Sequence, residues 1–137
     1  LQLIKFIILK SQAIDKKMIS AQKWQLLSFF ETEPACLDPH TPWPYNEYLF
    51  KITQNGLELS CFISPAYKDV RIILSLQQNK ILEFNIQGAK DVCWHNDDGQ
   101  EKLEIITLDN DKLWFQLKPR LYIEQKISEK PGIESPL

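Results

Sequence analysis

Four side chains in this sequence have the chemistry of a soft metal site. Cys36 and His40 lie four residues apart, and Cys93 and His95 lie two apart. Thiolate sulfur and imidazole nitrogen are zinc ligands, and a strand places residues i and i+2 on the same face, so the second pair projects together. These four residues are therefore the candidate zinc site, and zinc the candidate cofactor. Against it, neither spacing is a standard zinc pair, and a free cysteine is usually a small buried hydrophobe. The same residues allow a cysteine nucleophile, Cys93 or Cys36, with His40 or His95 as base. That arrangement lacks a helix N-terminus to lower the thiol pKa, an oxyanion hole and a third orienting group.

Carboxylates supply less. Asp97, Asp98 and Glu101 crowd one turn and Asp109 and Asp111 another, but neither turn has the alternating ligand series of a calcium loop. They read as soluble hairpin turns. Glu58 with Glu83 or Glu104 could pair as acid and base across a sheet, but no pocket between them is legible. With no complete catalytic set, the chain is expected not to be an enzyme.

The remaining chemistry is that of recognition. From Glu31 to Tyr48 the sequence carries Pro34, Pro39, Pro42 and Pro44, which exclude helix interior and central strand. Among them stand Trp43, Tyr45 and Tyr48, ringed by Glu31, Glu33, Asp38 and Glu47. Rigid aromatics on a proline-stiffened loop are good interface anchors, and an acidic ring suits a basic protein partner. Trp43, Tyr45, Glu31, Glu33, Asp38 and Glu47 are the candidate partner-binding residues. The competing structural role is a lid, with Trp43 and Tyr45 folded back over one end of the core.

These residues need a scaffold, and its pattern is clear. A possible N-cap at Ser20 precedes an apolar stretch through Phe30 that reads as a short helix. After the proline loop the period is two. Tyr48, Phe50 and Ile52 alternate with polar neighbours, Asn55-Gly56 supplies a type I′ hairpin turn, and Leu57, Leu59, Cys61 and Ile63 return. Similar runs are Val70–Leu76, Leu82–Ile86, Asp91–His95, Leu103–Leu108, Leu113–Leu117 and Leu121–Ile127. About eight strands without intervening helices predict an all-β fold with one short N-terminal helix. It is an antiparallel meander curled into a barrel or a two-layer sandwich.

Residues 18–127 then form a single β-rich domain, and 128–137 a mobile polar tail. Residues 1–17 are a doubtful extension. Met18 is the only methionine, and Leu1–Lys17 reads equally as upstream read-through or as an authentic first strand at Leu3–Leu9. That apolar run, broken by Lys5, is far shorter than the roughly 20 residues of a membrane helix, so no membrane partner is expected.

Composition narrows the rest. A net charge of −2 with scattered lysines gives no basic stripe, so no nucleic-acid partner is expected. Three widely spaced cysteines form neither a disulfide framework nor a CxxC pair, which suits a reducing cytoplasm. The reading that results is a small non-enzymatic protein-binding module of accessory or inhibitor/immunity type, acting through residues 31–48. The alternatives are the zinc protein above and a β-barrel carrier whose interior, lined by Phe50, Phe62, Phe84 and Phe115, holds a small apolar ligand.

Overall fold

Alternation of apolar and polar residues commits each strand to one buried face, and two such faces must find each other. The computed structural model, which describes residues 18–129, shows how they do so. Strands β1 (Ala35–Cys36), β2 (Tyr48–Gln54), β3 (Leu57–Ser64), β4 (Asp69–Leu76) and β5 (Asn79–Ile86) form one antiparallel sheet in chain order. Strands β6 (Asp91–Asp97), β7 (Gln100–Ile106), β8 (Lys112–Gln116) and β9 (Tyr122–Lys126) form a second, also in chain order. The meander breaks once, at 87–90, and the two halves face each other as a sandwich. No closed barrel forms among the described residues.

The core follows the predicted parity. Phe50, Cys61, Ile63, Val70 and Ile72 from the first sheet meet Val92, Leu103, Ile105, Leu113 and Phe115 from the second, all buried. Three of the hairpins, β2–β3, β4–β5 and β6–β7, are closed by primed turns, whose twist matches that of the strands. Asn55 and Gly56 have φ of 51° and 81°, as the Asn-Gly pair requires. Gln77 and Gln78 adopt the same hand, at 49° and 70°, without a glycine. At the outer edge of the first sheet the β4–β5 register slips between Leu74 and Ser75, leaving Ile81 as a bulge that blunts the edge.

Helix α1 (Lys23–Phe30) closes the sandwich against β2 and β7. It buries Leu26, Phe29 and Phe30, and the Phe30 ring stacks on Phe50 with centroids 4.4 Å apart. Its N-cap is Gln22, whose amide donates to Gln25 Oε1 at 2.8 Å, and not the predicted Ser20. Ser20 is occupied elsewhere. Its amide donates to Asp91 Oδ1 at 2.7 Å and its hydroxyl to Asp91 Oδ2, while Ala21 N donates to Val92 O at 2.8 Å. The segment before the helix is thereby strapped to β6. Its short side chain is better spent on a distant carboxylate than on a local cap, and local sequence cannot reveal that choice.

At the other end, Ser128 N donates to Asp111 Oδ1 at 2.9 Å and Ser128 Oγ to Asp109 O at 2.7 Å. The first residue of the predicted tail is therefore held by the acidic β7–β8 turn. The tail from residue 130 onward, the possible strand Leu3–Leu9 and the doubtful extension 1–17 lie outside the described residues.

Candidate functional site

The proline loop starts where α1 stops. Glu31 ends the helix in the left-handed region, with φ of 53°, and its carboxylate pairs with Lys118 between β8 and β9. After Pro34 the chain makes the two-residue strand β1, which lies on β2 with Ala35 opposite Leu49 and Cys36 opposite Tyr48. This edge pairing closes the base of the loop. Leu37 N extends it by donating to Glu47 O at 3.0 Å.

Inside the loop, two polar residues replace the missing secondary structure. Asp38 Oδ1 accepts from His40 N at 3.0 Å and Asp38 Oδ2 from Thr41 Oγ1 at 2.8 Å. These donors, the His40 amide first, hold the Asp38 carboxyl below the usual carboxylate range. Asn46 is buried and acts as the knot. Its Nδ2 donates to Asp38 O at 2.6 Å and Thr41 O at 3.3 Å, and its Oδ1 accepts from Glu47 N at 2.9 Å and Asp38 N at 3.2 Å. A single amide thus satisfies backbone groups that the prolines leave without partners.

The loop is also anchored from outside. A 3-10 turn, Trp43–Tyr45, follows Pro42, and Pro44 O accepts from Ala66 N at 2.8 Å. Trp43 turns inward and packs on Tyr48, ring centroids 4.5 Å apart, at the margin of the core. Tyr45 turns outward and is 46% exposed. The lid and anchor roles weighed for the two aromatics are divided between them. Leu37, which sequence reasoning passed over, is 78% exposed beside the acidic residues Glu33, Asp38 and Glu47. Leu37 and Asn46 were the missed residues of this site. The available signal was an Asn at the far end of a loop opened by Leu-Asp.

The structure does not bring the candidate zinc ligands together. Cys36 lies on the edge strand of one sheet and His40 in the exposed loop, while Cys93 and His95 lie on β6 of the other sheet. Cys93 Sγ donates to Asp91 Oδ2 at 3.3 Å, and His95 Nε2 meets Glu104 Oε1 at 3.1 Å. Among the described residues, no three His, Cys, Asp or Glu side chains converge closely enough to hold a metal. Nor is Cys93 prepared as a nucleophile. Burial first, then the neighbouring Asp91 and Glu104 carboxylates, push its thiol up to about 12.

The carboxylates weighed as an acid–base pair are each engaged by a cationic partner. Glu58 pairs with Lys51 at 3.3 Å, Glu83 with Arg71 and Lys80, and Glu104 belongs to the second sheet. The interior is filled. Phe50 and Phe115 are buried and Phe84 packs edge-on against Phe115 at 6.4 Å, but Phe62 points to the outer face, under the Arg71 guanidinium. Gaps between the layers beside Phe30 and beside Leu57 measure about 10 Å³ each. A small-ligand site needs a few hundred Å³, far more than either gap offers.

No protein-family model matches the chain, and no curated protein matches its sequence. The fold has a solved counterpart. It superimposes with a TM-score of 0.66, at 21% identity, on a chain of the contact-dependent growth inhibition toxin–immunity protein complex from Klebsiella pneumoniae 342, covering 77% of this chain and 93% of that one. At that identity the likeness is one of fold. What it adds is that this arrangement of two sheets occurs in a protein found in a complex between two proteins. Among the described residues no helix is long and apolar enough to cross a membrane.

Proposed function

We propose that the chain is a non-enzymatic inhibitor or immunity-type module, and that its partner docks on the face formed by residues 31–48. The observation that carries this reading is the loop itself. Its backbone is immobilised by Asn46, Asp38 and the β1–β2 pairing, while Leu37 and Tyr45 stand exposed in an acidic surround. A surface ordered before binding loses little entropy on association, and an exposed leucine and tyrosine on it offer apolar anchors. The fold shared with a chain of a toxin–immunity complex supports a protein as the partner, and we take that partner to be a toxin domain with a basic face. Three free cysteines suit a reducing cytoplasm as the place of the encounter.

The test is native mass spectrometry of the protein recovered gently from its own host, beside a Leu37→Ser/Tyr45→Ala double variant. One extra protein chain at fixed stoichiometry is expected with the unsubstituted protein. The variant should lose that chain at an unchanged melting temperature, because both side chains are exposed. A partner retained by the variant, or a chain that never acquires one, overturns the proposal.

A further inference from the structure

The outer face of the second sheet has its own chemistry. Strand register sets its rows: His95 opposite Lys102, Glu104 opposite Trp114, Trp114 opposite Glu124, and Gln116 opposite Tyr122. Near the middle a carboxylate is buried. The Glu104 side chain is only 7% exposed, held by His95 at 3.1 Å and Lys112 at 3.5 Å, and the His95 ring lies 5.4 Å from that of Trp114. Next to this cluster, sharing Lys112 and Trp114 with it, lies a groove of about 280 Å³ flanked by Trp114 and Tyr122. The groove runs on into a second depression of about 370 Å³ beside Pro119 and Arg120.

The charge around this trough is one-sided. Lys102, Lys112, Lys126 and Arg120 line it, against the single carboxylate of Glu124, which already accepts from Tyr122 Oη at 2.9 Å. Among the described residues Lys102, Arg120 and Lys126 make no ion pair. Lys112 and Lys126 are moreover directly opposite across β8 and β9. Lys112 is already paired with Glu104, so the uncompensated charge of the trough is that of Lys102, Arg120 and Lys126. This local excess of positive charge stands on a chain whose net charge is −2.

We propose that this trough is a second docking surface, separate from the 31–48 face, and that it takes an extended acidic segment of a protein. Carboxylates of such a segment would meet Lys102, Arg120 and Lys126, and its apolar side chains would lie between Trp114 and Tyr122. Charge complementarity and amphipathic aromatics select this occupant. A nucleic-acid strand fits less well, because four basic residues on a chain of net charge −2 give no long basic stripe to follow a phosphate backbone. The inference does not depend on the loop reading, because it uses other residues and the opposite charge.

The test titrates a blocked peptide alternating glutamate with leucine into the labelled full chain and follows backbone amide shifts by NMR. A glutamine-for-glutamate peptide and a single-stranded oligonucleotide run in parallel. Saturable shifts at Lys102, Trp114, Gln116 and Tyr122 are expected. They should weaken with added salt and by at least about tenfold in Lys102→Glu/Lys126→Glu. Lys51→Glu, on the other sheet, should leave them unchanged. Equal binding of the glutamine peptide, shifts centred elsewhere, insensitivity to the double variant, or tighter binding of the oligonucleotide would each overturn the assignment.

Discussion

If Asn46 holds the proline loop together, Asn46→Ala should be costly although the residue lies outside the sandwich core. The substitution removes four hydrogen bonds, two short at 2.6 and 2.9 Å and two long at 3.2 and 3.3 Å. Taking about 1 kcal/mol for each short bond and about 0.5 kcal/mol for each long one gives a loss of about 3 kcal/mol. Water can reach the exposed Asp38 and recover part of this, so about 2–3 kcal/mol is expected, or about 8–12 °C in melting temperature for a chain of this size. Urea unfolding measures the total, and hydrogen exchange at the Asp38 and Glu47 amides shows whether the loop opens first. Asn46→Asp sharpens the test. It keeps an acceptor for the two amides but turns a carboxylate oxygen toward the carbonyls of Asp38 and Thr41. At neutral pH it should be worse than alanine. Acidification should restore part of the loss, as the protonated carboxyl donates where the amide did. A loss below about 0.5 kcal/mol for Asn46→Ala, or an Asn46→Asp variant indifferent to pH, would refute the reasoning.

Two further outcomes follow from the geometry. In the native protein at pH 7.5, iodoacetamide should label exposed Cys36 first, leave Cys93 nearly untouched because its thiol sits at about 12, and reach buried Cys61 only on unfolding; peptide mass spectrometry of a time course checks the order. Burial acts to raise the Asp91 carboxyl, but hydrogen bonds from Ser20, Val92 and Cys93 outweigh it and hold the group below its ordinary range. A depressed folded value contributes stability above the unfolded one and loses it as pH falls. Asp91→Asn should therefore cost about 1–2 kcal/mol at pH 7, allowing for solvent access, and the gap between the two melting curves should close below about pH 4.

The strands were legible because their signal is local. Alternation at period two and turn pairs such as Asn55-Gly56 act within a few residues, so all eight predicted strands form, each in the stretch read for it. The two-residue β1 was not legible, since its partner on β2 lies more than ten residues away and Pro34 argues against any strand there. Likewise the alternation put Cys93 and His95 on one face of β6 but carried no information about Cys36 and His40, which lie on the other half of the meander.

The amino-acid sequence by itself determined which residues each strand would bury and where the chain would turn, because those choices depend on side-chain parity and backbone conformation at neighbouring positions. It also marked the stretch 34–44, with its four prolines, as one that a helix interior or a central strand could not absorb. Only the tertiary structure decided that the meander splits into two sheets with a filled interior, that Ser20 binds Asp91 and leaves the helix cap to Gln22, and that Trp43 packs inward while Tyr45 faces solvent. It alone brought Lys102, Trp114 and Tyr122 from three different strands onto one outer face. Those outcomes rest on contacts between residues far apart in the chain, where packing of one face against another chooses among partners that local sequence leaves equally available.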